Sequence, residues 1–198
     1  MKTRLPFKTG IITISRREKN KMNKRNQVLK LTISAICLAL CMVLPFLTGQ
    51  IPQIGSMLSP MHIPVLLCGF ACGPAWAAVV GVFAPILRFA LFGMPPLFPT
   101  GTAMCFELLT YGVVTGALYR ALPKKKSAIY AALLCAMAAG RIVWGVVMAI
   151  LMSASGSAFT FAAFVSGALL NAVPGIVLHI VLIPVLVMAL ERTKVLKQ

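Results

Sequence analysis

The 198-residue chain is 60% hydrophobic, and only 11% of its residues are charged. Soluble domains carry about 25% charged residues, so this composition is typical of a protein that resides in lipid. The formal net charge of +16 would suggest nucleic-acid binding in a soluble chain. However, ten of the 19 lysines and arginines precede Leu31, four lie between Arg120 and Lys126, and three follow Glu191. Because these bases flank apolar segments, they indicate a lipid bilayer, and no nucleic acid, as the partner.

The first 30 residues form a basic leader that contains no apolar core, so they do not resemble a cleavable signal peptide. Residues 1–21 differ in composition from the rest, and Met22 opens a short basic stretch. We therefore hypothesise that translation starts at Met22 and that residues 1–21 are not translated. The mass of the native N-terminal peptide tests this hypothesis.

The apolar segments that follow predict an all-α integral membrane domain of six transmembrane helices over residues 31–190. Roughly 20 apolar residues cross a ~30 Å hydrocarbon core, and each segment approaches or exceeds that length. The helices are predicted at residues 31–48, 57–72, 75–92, 100–121, 127–152 and 161–190, followed by a basic tail at 191–198. The basic leader, the basic loop after the fourth helix and the basic tail share one side, which predicts cytoplasmic N- and C-termini.

Several kinds of site are disfavoured by the sequence. The six cysteines lie in apolar stretches without a His–Cys pattern that would complete a zinc site, so we expect no metal and no cofactor. No phosphate-binding loop of the Gly-x-x-x-x-Gly-Lys-Ser/Thr type occurs. Ser155 and Ser166 each precede a glycine, but Ser155 lacks the preceding glycine of a rhomboid protease. We therefore expect no catalytic residues, and no enzyme.

Five polar residues fall inside the predicted helices, where a charge costs about 3 kcal/mol or more and so marks a functional candidate. They come from five different helices but share the outer half of the predicted membrane. This convergence predicts a polar pocket open to the outside, covered by the loops at residues 50–60 and 94–99. The five residues are His62, Arg88, Glu107, Arg141 and Asn171.

Each of these residues also has a structural interpretation. Glu107 could pair with Arg88 or Arg141 merely to hold helices together, and His62 could satisfy backbone groups near the prolines that surround it. Trp144, one helical turn after Arg141, favours a ligand surface on the fifth helix. His179, deeper in the sixth helix, is expected to serve packing or hydrogen bonding.

Three segments resemble the substrate-binding S components of energy-coupling factor (ECF) transporters. They are residues 58–70 (LSPMHIPVLLCGF), residues 88–99 with the FGMPP motif, and residues 140–145 (GRIVWG). The resemblance covers residues 31–190. It implies a vitamin-capturing membrane subunit in the prokaryotic plasma membrane, which works with a transmembrane coupling subunit and two cytoplasmic ATPase subunits. It also implies that Ala35 and Ala39 dock on the coupling subunit and that Glu107, Arg141, Trp144 and Asn171 contact the ligand.

The substrate remains open at this stage. Arg141 and Arg88 would suit a carboxylate such as pantothenate, nicotinate or folate, whereas Glu107 would suit a cationic or amino-bearing ring such as thiamin. Pantothenate is the first choice. The competing function is a stand-alone secondary transporter or channel for a small polar solute, although no internal repeat typical of such carriers is found.

Overall fold

The computed structural model describes residues 7–48, 57–123, 125–157, 160–167 and 171–192. Within these ranges the chain is helical with short turns, and it contains no β-strand. Three of the helices have close counterparts in the sequence prediction, at 74–92, 102–121 and 126–154. The helices are α1 (Phe7–Val43), α2 (His62–Cys72), α3 (Pro74–Phe92), α4 (Thr102–Ala121), α5 (Lys126–Ala154), α6 (Phe161–Val165) and α7 (Val173–Arg192).

In the described part of the chain, five segments are long and apolar enough to cross a membrane, so the chain is a multi-pass membrane protein. They lie at residues 23–47, 74–92, 97–121, 126–154 and 173–192. The second predicted span differs, because its helix is interrupted: Met57 and Leu58 are helical, residues 59–61 are not, and the 11 residues of α2 follow. At the helical rise, α2 covers about 16 Å, roughly half of a hydrocarbon core. The non-helical residues Ser59, Pro60 and Met61 just before it are buried as well.

The first and the last helices differ from the sequence prediction: the first is longer than predicted, and the last is divided. The first helix is longer than predicted, since the backbone of residues 7–30 continues into the apolar segment and ends in a 3₁₀ turn at Leu44–Thr48. The last predicted helix is divided into α6 and α7, with a turn at Asn171–Ala172. Of the predicted outer loops, residues 94–99 are described, whereas 49–56 lie outside the described residues.

Helices α1 and α2 run antiparallel and pack through small polar and sulfur-bearing side chains. The Ser34 hydroxyl contacts the Cys68 thiol at 3.5 Å, and the Cys41 thiol donates to the Met61 carbonyl at 3.5 Å. At the other end, the Cys72 thiol donates to the Lys30 carbonyl at 3.5 Å. Helix α2 therefore runs beside the part of α1 between Lys30 and Cys41, in the opposite direction.

The α3, α4 and α5 helices pack closely where glycines remove side chains from their interfaces. A Cβ at Gly112 of α4 would lie 2.8 Å from the Ala77 backbone of α3. A Cβ at Gly140 of α5 would overlap the ring of Tyr111 on α4. Small residues at such positions let membrane helices approach, which compensates for the missing hydrophobic drive between helices in lipid.

The contacts at one end of the bundle involve the start of the apolar part of α1 and the end of α7. The Tyr119 hydroxyl of α4 donates to the carboxylate of Glu191 on α7. The Arg120 guanidinium donates to the Cys72 carbonyl at 3.1 Å, next to the contact between Cys72 and Lys30. The basic beginning of the apolar part of α1 and the end of α7 consequently lie at the same end of the molecule.

Candidate functional site

Glu107 is the centre of a buried polar cluster at the opposite end of the bundle. Glu107 is only 1% exposed. Three side chains approach the same oxygen of its carboxylate, Oε1. The Tyr111 hydroxyl donates to it at 2.9 Å, Arg141 Nη1 lies 3.2 Å away and His62 Nε2 lies 3.5 Å away. A carboxylate can be buried in this way because cationic and hydrogen-bonding partners replace its water.

Local sequence explains how these side chains meet. Tyr111 follows Glu107 by four residues, so both lie on the same face of α4. His62 is the first residue of α2, and its ring lies 5.2 Å from the Tyr111 ring. Gly140 leaves room for Tyr111 against α5, which brings the next residue, Arg141, to the carboxylate. Three helices thus contribute to one charge cluster.

A second histidine joins this cluster from α7. His179 is 2% exposed, and its ring stacks on that of His62 with centroids 6.1 Å apart. His62 Nδ1 lies 3.2 Å from the carbonyl oxygen of Ser59, within hydrogen-bond distance. Ser59 has a φ of 46°, a left-handed conformation that is uncommon outside glycine. The turn before α2 thereby presents its carbonyl to the His62 ring.

Three buried nitrogen atoms of the cluster have no hydrogen-bond partner among the described residues. They are His62 Nε2, His179 Nε2 and Arg141 Nε. A buried polar atom without a partner costs about 1–3 kcal/mol, so the cluster is suited to receive polar atoms from elsewhere. Among the described residues, no group of three or more histidine, cysteine, aspartate or glutamate side chains could hold a metal ion.

Arg88 lies in a different environment from Arg141. It is 6% exposed on α3, and its Nη1 donates to the Met42 carbonyl at 3.1 Å. Its guanidinium stands 5.9 Å from the Phe46 ring centroid and 5.5 Å from that of Phe92. The described residues provide it with no carboxylate partner. Of the two pairings considered from the sequence, Glu107 therefore makes the one with Arg141.

The other two predicted ligand residues are not part of the cluster's contacts. Trp144 is half-buried on α5, and its ring lies against Gly167, where an added Cβ would be 3.0 Å away. Asn171 is exposed in the turn before α7, and its backbone N–H donates to the Ser166 carbonyl at 2.9 Å. In the sequence, Gly167 and Asn171 border residues 168–170, which lie outside the described residues.

The sequence prediction omitted Tyr111 and Ser59 from the site and assigned His179 to packing or hydrogen bonding. Tyr111 could have been found, because a hydroxyl four residues from a buried glutamate is within reach on a helix. Ser59 acts through its carbonyl, which every residue type has, so its side chain carried no signal. His179 has a buried ring nitrogen, Nε2, that has no hydrogen-bond partner among the described residues.

The predicted docking residues lie on the outward face of α1. Ala35 and Ala39 are both exposed, together with Ile36 at 55%. The opposite face of the helix is buried against α2 through Ser34 and Cys37. Helix α1 therefore presents a surface of small and apolar side chains to its surroundings, as a lipid-facing or partner-facing helix does.

Comparisons with known proteins identify the family. Residues 29–187 match the family model described as ECF transporter, substrate-specific component. No curated protein and no solved structure matches the chain significantly. The family is a transporter component and not a family of enzymes, and the match covers the apolar helices and the whole polar cluster. The chain belongs to the substrate-specific components of ECF transporters.

Proposed function

We propose that the protein is the high-affinity capture subunit of an ATP-driven micronutrient uptake transporter and that its ligand binds at the Glu107 cluster. The observation that carries this proposal is the convergence of His62, Glu107, Arg141 and His179 from four helices in a buried site. Intramembrane ionisable groups are expensive, and three of their nitrogens lack partners. A small polar ligand would satisfy these atoms.

The proposed orientation places the cluster near the external surface of a prokaryotic plasma membrane. The end of the bundle that contains Lys30, Arg120 and Arg192 is the basic one, which favours the cytoplasmic side. The contacts of Lys30 with Cys72 and of Tyr119 with Glu191 bring the start of the apolar part of α1 and the end of α7 to that side. We accordingly propose six passes, with α2 and the residues before it serving as a short second pass.

An anionic substrate fits the charges better than a cationic one, and pantothenate is the first candidate. Glu107 is already compensated by Arg141 and approached by His62, so it has little charge left for a cationic ring. Arg88 has a buried positive charge with no carboxylate among the described residues. A ligand carboxylate would compensate a guanidinium of this kind through a charge-assisted hydrogen bond.

A vitamin screen tests this proposal directly. The purified chain in lipid nanodiscs is titrated with pantothenate, thiamin, riboflavin, nicotinate, pyridoxal, folate and biotin, and its thermal unfolding is followed. Pantothenate should raise the melting temperature, because a ligand that binds only the folded state stabilises it. Stabilisation by thiamin alone would reject the anionic assignment, and no response to any vitamin would reject vitamin capture at this site.

For partners, we propose a transmembrane coupling subunit and two cytoplasmic ATPase subunits, with docking on the exposed Ala35 and Ala39 face of α1. Replacing Ala35 by Trp would place a large ring where a partner helix must approach closely. Ala35→Trp should retain ligand binding and abolish ATP-dependent uptake in vesicles that contain the ATPase module. Leu29→Trp, at an exposed position of α1 that does not share the face of Ala35 and Ala39, is the control and should transport.

Reconstitution also decides between this function and a solitary carrier. Vesicles that contain the chain alone are compared with vesicles that also contain the coupling subunit and ATPases. Uptake should require all components and ATP. ATP-independent uptake by the chain alone would instead support a secondary transporter or channel.

A further inference from the structure

Helix α1 extends beyond its contact with α2 at the basic end of the bundle. Residues 23–29 are all exposed, whereas Lys30 is half-buried where the contact with α2 begins. This exposed segment contains two bases, Lys24 and Arg25. Among the described residues, the ion pairs are those of the buried carboxylate at the other end of the bundle, and neither base takes part in them. Both bases can therefore meet a partner outside the chain.

The two bases lie on the same face of α1 as Ala35 and Ala39. An α-helix turns by about 100° per residue, so four exposed residues before Ala35 lie within about 60° of the direction midway between Ala35 and Ala39. The four are Lys24, Arg25, Val28 and Thr32. The contacts with α2 fall on the opposite side of the helix. We call the row from Lys24 to Ala39 the docking stripe; it is about 22 Å long at the helical rise.

The composition of the docking stripe favours a protein partner over lipid. Its two alanines leave room for a second helix, and the Thr32 hydroxyl already donates to the Val28 carbonyl at 3.0 Å. The stripe can therefore approach an apolar helix closely without an unsatisfied polar group. The exposed face of α7 contrasts with it, because valines recur there at four-residue intervals and cover the backbone, as suits a face that meets lipid chains. These valines, 50–63% exposed, are Val173, Val177, Val181 and Val185.

We propose that the docking surface of α1 extends to Lys24 and Arg25, and that the coupling subunit presents carboxylates to these two bases at the cytoplasmic edge of the interface. The inference rests on the function proposed above and adds the chemistry of the partner: an apolar helix face that ends in aspartate or glutamate side chains. The alanines provide close contact within the bilayer, and the bases act at its surface. Charges at the rim of an interface mainly speed association and fix its register.

The first test measures the affinity of the chain for the coupling subunit with its ATPases, in uncharged detergent micelles at about 50 mM and about 500 mM salt. Wild-type affinity should fall at high salt, because salt screens exposed charge pairs. Lys24→Gln/Arg25→Gln should bind roughly tenfold more weakly at low salt and lose most of the salt dependence. Lys125→Gln/Lys126→Gln removes the same charge from exposed positions on α5 and is the matched control that should bind as the wild type does.

The second test asks whether the docking stripe is continuous between the alanines and the bases. Val28 and Leu29 are neighbours in sequence and both exposed, but only Val28 lies on the stripe. Val28→Trp should weaken assembly roughly tenfold or more, because its ring would hold the partner helix away. Leu29→Trp should assemble normally. In both variants an unchanged melting temperature of the isolated chain verifies the fold, and equal losses of assembly would overturn the inference.

The outcomes separate this inference from the proposed function. Normal assembly of Lys24→Gln/Arg25→Gln, while Ala35→Trp still blocks it, would overturn the role of the bases and leave docking intact. Equal losses in the two double glutamine variants would show a general effect of charge and would also overturn it. Native mass spectrometry with added phosphatidylglycerol tests the lipid alternative: lipid lost only from Lys24→Gln/Arg25→Gln, with assembly unchanged, would assign the bases to lipid. A wild type that does not assemble at all would reject the docking function, and this inference with it.

Discussion

Arg141 and Arg88 are both arginines within membrane-spanning helices, but their charges are compensated differently. Arg141 forms an ion pair with a buried carboxylate at 3.2 Å inside a cluster contributed by four helices. Arg88 has a backbone carbonyl at 3.1 Å and two phenyl rings, with no carboxylate among the described residues. The first is an ion pair, and the second is a cation held by dipoles and π-faces.

The difference indicates what each arginine contributes. An ion pair supports the fold only while both partners are present, because either alone leaves an uncompensated buried charge. A cation without a carboxylate already bears that cost, so its removal need not destabilise the protein. If Arg88 is functional, a ligand provides the missing negative charge. Mutations at the two sites should therefore separate stability from binding.

The largest effect is expected for Glu107→Leu. This substitution leaves Arg141 buried without its counterion and should lower the free energy of unfolding by about 3–5 kcal/mol, measured by titration with SDS in mixed micelles. The double variant Glu107→Leu/Arg141→Leu should recover most of that loss, since it removes both charges. A double variant as unstable as the single one would contradict the ion-pair account.

Arg141→Ala should weaken pantothenate binding by roughly 100-fold while leaving membrane insertion intact, because it removes a buried charged hydrogen-bond donor. Isothermal titration measures the affinity, and protease accessibility of the loops verifies insertion. Ile142→Ala, the next residue and 61% exposed, is the control that should bind normally. Unchanged affinity in Arg141→Ala would place the ligand elsewhere.

Arg88→Leu should leave the free energy of unfolding unchanged or raise it by up to about 2 kcal/mol, since it removes a desolvated charge that lacks a carboxylate. The same variant should bind pantothenate about tenfold more weakly but bind its alcohol analogue, pantothenol, as the wild type does. Equal losses for both compounds would show that Arg88 does not recognise the carboxylate. Clear destabilisation would assign it a structural role instead.

The smallest effect is expected for Phe46→Leu, which removes one of the two rings near the Arg88 guanidinium. The ring is 44% exposed, so the loss of its cation–π contact should cost about 0.5–1 kcal/mol of unfolding free energy. Leu47→Ala, in the same 3₁₀ turn and 80% exposed, should be nearly neutral. In an Arg88→Leu background the effect of Phe46→Leu should shrink, and equal effects in both backgrounds would exclude the contact.

The sequence predicted the helices of this protein well where apolar length alone decides them. The third, fourth and fifth predicted helices agree with α3, α4 and α5 within a few residues. The second did not, because apolar residues near Ser59 and Pro60 are buried without being helical. The last predicted helix, residues 161–190, is interrupted as well, by the turn at residues 171–172 before α7.

Within the site, the sequence identified the buried charges but not their partners. Glu107, Arg141 and His62 were selected because ionisable groups are costly in a membrane, and the structure brings these three together. Arg88 satisfied the same criterion, yet it lies on another face against Phe46 and Phe92. Depth along a helix can be counted from sequence, whereas the direction in which a neighbouring helix lies cannot.

By itself, the sequence determined that this chain belongs in a membrane, which end of the bundle is basic, and which few polar residues had to be accounted for. Hydropathy and charge act locally along the chain, so they can be read without neighbours. Only the tertiary structure decided that Glu107 pairs with Arg141, and that the Ser59 carbonyl lies at the His62 ring. Those outcomes depend on helix rotation and on glycine-mediated close approach, which arise only when the helices pack against one another.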